Sequence, residues 1–238
     1  MNAAETGSQP HHRTVRSFVR RGGRLTPSQA RALETLWPRW GIEPPPAVLD
    51  LDALFGRHAP RTLEIGFGNG ENLAGLALRH PERDYLGVEV HEPGVGHLLL
   101  RMEREALGNI RIARHDAIEV VARWLPPASL DEVLIFFPDP WHKKRHHKRR
   151  LVQAGFLEQL ARAMAPGARL HLATDWAEYA GQMLALCDAS PCFENATPGG
   201  GYAPRPETRP VTKFERRGLR LGHEVFDLLY RQVRPAPR

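Results

Sequence analysis

The chain has 238 residues, of which 42% are hydrophobic, enough for one domain with a sizeable core. Its net charge of +6 and isoelectric point near 9.8 point to an acidic partner, and the clustering of the basic residues favours nucleic acid. There is no signal-peptide pattern and no apolar run long enough to span a bilayer, so the expectation is a cytoplasmic protein without membrane contact.

Residues 1–24 carry Arg13, Arg16, Arg20, Arg21 and Arg24 against one acid, Glu5. This basic segment reads as a flexible arm, either dispensable or folding onto a phosphate backbone. Residues 25–238 read as one domain, with N-terminal helices over about 26–56 and a core over about 60–238. Thr26-Pro27-Ser28-Gln29 has the pattern of a helix start, with Thr26 as N-cap. That helix is expected to end near Trp37, where Pro38 follows. Pro44, Pro45 and Pro46 form a linker, and a short helix over Val48 to Phe55 leads into the core.

The stretch RTLEIGFGNG, residues 61–70, reads as strand, glycine loop and helix start. Gly66, Gly68 and Gly70 let the backbone turn sharply and approach a ligand. Dinucleotide sites use a G-x-G-x-x-G spacing after the first strand. Here the spacing is G-x-G-x-G, and Glu64 stands at the strand end. An acid there repels a pyrophosphate and suits a cationic ligand, such as the sulfonium and amino-acid end of S-adenosylmethionine. A helix over Asn72 to Arg79 follows. The second strand, Tyr85 to Val90, ends near Glu89, about twenty residues after the loop, where an acid commonly bonds ribose hydroxyls. After a helix over Pro93 to Leu107, a third strand, Ile110 to Ala113, leads to Asp116, placed to accept from an adenine amine.

The fourth strand, Val133 to Phe137, is apolar without alternation, as in a parallel strand covered on both faces. Pro138 and Pro140 fix Asp139 between them at its C-terminal end. Six cations follow directly: Lys143, Lys144, Arg145, Lys148, Arg149 and Arg150, with His142, His146 and His147 among them. A rigid acid beside a dense positive field suggests chemistry on a polyanion. The histidines with Asp139 could suggest a metal site, but a divalent ion would be repelled by those cations, so no metal is expected. Cys187 and Cys192 show no metal-ligand spacing and read as structural thiols.

A helix over Leu151 to Met164 follows. A fifth strand, Arg169 to Ala173, delivers Asp175 to the same sheet edge, before a helix over Trp176 to Cys187. Residues 197–210 form a Gly/Pro-rich loop into PVTKFERRG, which groups Thr212, Lys213, Phe214 and Glu215. Phe214 is either a stacking platform or a core side chain. Glu224 to Val233 is read as a pair of edge strands or one long strand. A dehydrogenase would share the strand–loop–helix start, but Glu64 and the missing third-glycine spacing count against it. A purely RNA-binding protein would have no use for the ordered acids.

The motifs VRSFVRRGGRLTPSQ, LEIGFGNG, GVEVHEPGVG, HDAIEVV, FFPDPWHKKRHHKRRLVQ, ATDWAEYA and RPVTKFERRGLRLGH together resemble the tRNA (guanine-N7-)-methyltransferases over about residues 14–233. The resemblance implies an α/β, Rossmann-like class I methyltransferase fold, a mostly parallel sheet with helices on both faces. It implies S-adenosylmethionine as cofactor and tRNA as partner, with methylation at N7 of the variable-loop guanine (m7G46). A monomer with no obligate protein partner is expected. Carried over by motif, Glu64, Gly66, Gly68, Gly70, Glu89, Asp116 and Asp139 would hold the cofactor, with Asp139 catalytic. Lys143, Asp175, Thr212, Lys213, Phe214 and Glu215 would meet the substrate, and Arg145, His146, His147, Lys148, Arg149 and Arg150 the RNA. The chemistry asks for one carboxylate near the developing cationic purine and one on guanine's N1–H and N2–H₂ donors. Asp139 and Asp175 suit these tasks in either assignment.

Overall fold

The computed structural model describes residues 23–207, 209 and 224–234. The greater part of the arm over residues 1–24 and the run from Thr212 to Glu215 lie outside these residues. Helix α1 (Pro27–Thr35) begins with the expected cap: Thr26 Oγ1 accepts from the Gln29 amide, and Gln29 Oε1 accepts from the Thr26 amide. Pro38 does not stop helical structure as expected. It sits in the first turn of a second short helix, α2 (Trp37–Trp40), where a missing N–H costs nothing. A two-residue strand, β1 (Gly41–Ile42), follows, too short to be seen in a sequence pattern. Helix α3 (Leu51–Phe55) starts at Asp50, whose side chain accepts from the Ala53 amide.

The core alternates strand and helix. It comprises β2 (Arg61–Ile65), α4 (Glu71–Arg79), β3 (Asp84–Val88), α5 (Glu92–Arg104), β4 (Ile110–Ala113) and a short α6 (Ala117–Glu119) that continues as a π-helical turn to Trp124. Next come β5 (Leu130–Phe136), a 3₁₀ turn over Lys144–Arg149, α7 (Ala154–Ala163), β6 (Met164–Thr174), α8 (Ala177–Asp188), β7 (Phe193–Asn195) and β8 (Phe226–Gln232). The C-terminal segment is therefore a single strand. It lies between β6 and β7 and runs antiparallel to both.

The sheet order is β1-β4-β3-β2-β5-β6-β8-β7, parallel through β6. The chain winds outward from β2 through β3 to β4, then returns to the other side of β2 with β5. This reversal makes a crevice beyond the C-terminal ends of β2 and β5. Helices cover both faces. Val133 and Ile135 point into a cluster with Phe156, Leu160, Tyr179 and Met183, whereas Leu134 and Phe136 point into one with Leu73, Leu98 and Met102. That two-sided burial explains why β5 shows no alternation. Cys187 and Cys192 are both buried. Burial pushes the Cys187 thiol up to about 12, so it behaves as an apolar side chain.

Candidate active site

Register fixes the geometry of the edge. Ala113 pairs with Val88, Val88 with Ile65, Ile65 with Ile135, and Ile135 with Leu172. These five residues form one transverse row across neighbouring parallel strands. Asp116, Glu89, Glu64, Asp139 and Asp175 stand at or just past the ends of those strands, in that spatial order. The acids singled out in the sequence are thus brought to one edge.

Glu64 is 4% exposed and lies one residue before the row, facing the α4 side. Its level partner is Gly87, which leaves room: a Cβ there would meet Leu73 and Phe67 within 3 Å. Burial pushes the Glu64 carboxyl up to about 8, opposed by a hydrogen bond from Asn72 and reinforced by the Glu89 charge. Asn72 Nδ2 donates to Glu64 Oε2 at 3.1 Å, while the buried Asn72 Oδ1 has no partner. A buried carboxyl and an orphaned acceptor together favour a cationic guest.

The glycine loop closes over this acid. Gly66, Gly68 and Gly70 all have positive φ. Around Gly66 and Gly68 the space that a Cβ would enter is open. The Gly68 amide donates to Glu89 Oε2 at 2.8 Å, and the Val90 and His91 amides donate to Oε1. Glu89 is therefore pinned where the loop meets the β3 end, with acceptor capacity left for hydroxyl donors. Gly94 in α5 touches the loop closely: a Cβ would sit 2.1 Å from the Gly68 carbonyl oxygen. Asp116 caps α6 by accepting from the Ile118 amide at 2.9 Å. These residues fit S-adenosylmethionine, with Glu64 and Asn72 for its cationic end, Glu89 for the ribose and Asp116 for the base.

Asp139 is exposed, between Phe137 (φ 52°) and Trp141 (φ 47°). Both flanking residues hold left-handed backbone, unusual for side chains of this size and common around functional sites. Asp175 is half-buried after β6. Lys143, Lys144, Arg145 and Lys148 are exposed on the 3₁₀ turn and its approach. Arg149 lies over the Trp141 ring at 4.9 Å. His146 is held below the usual imidazole range by desolvation and by Arg145, Arg149, Lys143 and Lys148, so it adds little charge at neutral pH.

Arg150 departs from the expectation of an RNA contact. It is 2% exposed and turned inward, with Nε donating to the Pro140 carbonyl at 2.8 Å and Nη1 reaching Glu178 and Gln182. Its guanidinium covers the Tyr179 ring. His147 is likewise drawn inward, accepting from Arg150 Nη2 at 3.0 Å. A guanidinium with carbonyl, carboxylate and amide partners around it cannot also reach a phosphate. Sequence reasoning also missed Asn72 and a buried group of three. Asp227 binds Arg209 bidentately, through Nε at 2.7 Å and Nη2 at 2.9 Å, and binds His171 Nε2 at 2.7 Å. The available signal was a lone polar residue in each of two apolar stretches, LHLA and VFDLLY. Among the described residues, no group of three His, Cys, Asp or Glu side chains could hold a metal, and no helix is long and apolar enough to cross a membrane.

A family profile described as "Putative methyltransferase" matches residues 58–228. The tRNA (guanine-N(7)-)-methyltransferase of Alkalilimnicola ehrlichii is 61% identical over 231 residues, 96% of this chain and 95% of that protein. The protein of the same name from Thiobacillus denitrificans is 56% identical over 229 residues, covering 96% and 99%. Among solved structures, the 16S rRNA methyltransferase KamB superposes with a TM-score of 0.60 at 15% identity, over 82% of this chain and 99% of that one. The 16S rRNA (adenine(1408)-N(1))-methyltransferase of Catenulisporales acidiphilia gives 0.54 at 20% identity, over 82% and 98%. At such identities these two structures speak to the fold alone.

Proposed function

The chain belongs to the tRNA (guanine-N7-)-methyltransferase family, and we propose that it methylates N7 of the variable-loop guanine (m7G46) of tRNA at the row of carboxylates on the sheet edge. The observation that carries this site is Glu64, buried at the crevice between β2 and β5 with Asn72 Oδ1 unsatisfied beside it. S-adenosylmethionine supplies a methyl group on a positively charged sulfur. Glu64, Asn72 and Glu89 orient the donor, and Asp116 marks the end that takes its base.

Guanine N7 is a lone-pair acceptor without a proton. No side chain has to remove a proton first, so the chain's work is alignment and electrostatics. The purine becomes cationic as the new bond forms. A carboxylate close to it favours that state over the neutral ground state. In this reading the two remaining acids take separate tasks, a division that strand order supports. Asp139 follows β5, next to the strand of Glu64, and serves the reacting centre. Asp175 follows β6, one strand further from the donor, and accepts from the guanine N1–H and N2–H₂ edge.

The exposed Lys143, Lys144, Arg145 and Lys148 stand just after Asp139 and take the phosphates flanking the target nucleotide. The run from Thr212 to Glu215 completes the substrate side in this reading. Action as a monomer in the cytoplasm is part of the same proposal. The test is transfer of labelled methyl to unmodified tRNA, followed by mapping of the modified nucleotide through borohydride and aniline scission. Label at any atom other than a guanine N7 would overturn the reading.

A further inference from the structure

Asp139 lies in a five-residue stretch, Phe137–Trp141, bent into left-handed backbone at both ends. Two of the five residues are prolines and donate no backbone hydrogen bond. The Phe137 amide donates to the Ala173 carbonyl at 2.7 Å, which fixes the start of the stretch to β6. A strained stretch of this kind keeps its shape only if its surroundings over-determine it.

Two buried arginines reach it from opposite sides. Arg150 donates through Nε to the Pro140 carbonyl at 2.8 Å and is held by Glu178, Gln182 and the Tyr179 ring, all on α8. Arg209 covers the Phe137 ring at 5.8 Å and is held by Asp227 on β8. Asp227 is shared with His171 on β6, whose ring meets Phe136 edge-on at 4.7 Å. Each of the two arginines is 2% exposed. Neither is available as a surface cation. Their fixed planar forks suit the holding of a carbonyl or a carboxylate while packing on a ring, a role lysine cannot copy.

We infer that Arg150 and Arg209 are positioning residues for methyl transfer, gripping the two ends of the Phe137–Trp141 stretch so that Asp139 stays aimed at the reacting centre. This rests on the placement of Asp139 proposed above. It separates Arg150 from its neighbours in the basic run: Arg145 and Lys148 act on RNA binding, and Arg150 acts on turnover.

The experiment compares Arg150→Ala, Arg150→Lys, Arg209→Ala and Arg209→Lys in full-length protein, with kcat, the tRNA KM, cofactor affinity and melting temperature read for each. The expected result is a fall in kcat of about 100-fold in the alanine variants, the scale of a misplaced catalytic group, with tRNA KM and cofactor affinity unchanged. Millimolar guanidinium should restore kcat in both alanine variants and not in Asp139→Asn. Should the alanine variants fail to fold, the lysine variants carry the test, and Arg209→Met combined with Asp227→Asn removes both buried charges together. Unchanged kcat overturns the inference, as does a raised tRNA KM at wild-type kcat or a kcat loss that guanidinium leaves unrelieved. A wild-type chain that fails to methylate guanine N7 would instead remove the functional reading, so the two failures are distinct.

Discussion

Asn72 donates a hydrogen bond to Glu64 from one side of its amide and leaves the other side, Oδ1, buried without a partner. The pair is incomplete as it stands. Glu64 has its carboxyl raised from the usual carboxylate range to about 8, chiefly by burial. In the folded protein without ligand it is mostly protonated at neutral pH.

A pH dependence follows, and its sign is fixed by linkage. Between about 4.5 and about 8 the folded protein holds a proton on Glu64 that the unfolded chain releases. Stability from this group is therefore present at low pH and lost as pH rises through that window. Glu64→Gln should flatten the loss, seen as a smaller drop in melting temperature between pH 5.5 and 8.5. A cationic donor favours the ionised form, so its binding expels a proton and tightens as pH rises toward about 8. Calorimetry in buffers of different ionisation enthalpy would detect that proton. The same proton release from Glu64→Gln would assign it to another group.

Asp139→Asn keeps the size and removes the charge. The side chain is exposed, so the fold should be retained. Methyl transfer is expected to fall by about 100- to 1,000-fold, the usual scale for losing one electrostatic stabiliser of a transition state. Single-turnover kinetics at saturating tRNA measures the loss directly, and wild-type turnover would remove Asp139 from the reacting centre.

The exposed cations of the 3₁₀ turn should govern salt sensitivity. Replacing Lys144, Arg145 and Lys148 with alanine should raise the tRNA KM. It should also reduce the slope of log affinity against log salt by about 0.7 to 0.9 for each phosphate left without its cation. Filter binding across a salt series reads the slope. Arg150→Ala, by contrast, should leave it unaltered.

Gly94→Ala tests the approach of α5 to the glycine loop. The new methyl would stand 2.1 Å from a backbone oxygen of Gly68, which has no rotamer to escape into. A destabilisation of about 1–3 kcal/mol is expected from the forced shift, together with weaker cofactor binding because Gly68 also carries the Glu89 hydrogen bond. Equilibrium dialysis beside urea unfolding would separate the two effects. Wild-type cofactor affinity in a destabilised Gly94→Ala protein would uncouple loop position from binding.

Much of the fold, and the meeting of the acids at one sheet edge, could be read from the sequence, for a physical reason. Parallel strands buried on both faces are written as apolar runs, and acids placed just past them stand out by position, as Glu64, Glu89 and Asp116 do. The strand ends shifted by a few residues, and β1 and β7 were too short to leave a period. The inward turn of Arg150 was not legible. Within a run of like charges, composition does not say which member points into the core, and the one local hint was the apolar pair Leu151-Val152 directly after it. Arg209 and Asp227 are eighteen residues apart, and only folding reveals that they form a pair.

The transverse row from Ala113 to Leu172 also sets a scale. Adjacent strands are about 4.8 Å apart because backbone hydrogen bonds make them so, and each acid is borne by a different strand. The intervals between the strand ends from which the acids project are thus ruled by the main chain, like teeth cut at constant pitch. Helix-packing mutations on either face will melt this protein at lower temperature well before they change those intervals. Selectivity for a guest of a given length is accordingly expected to survive wide variation in the surrounding helices.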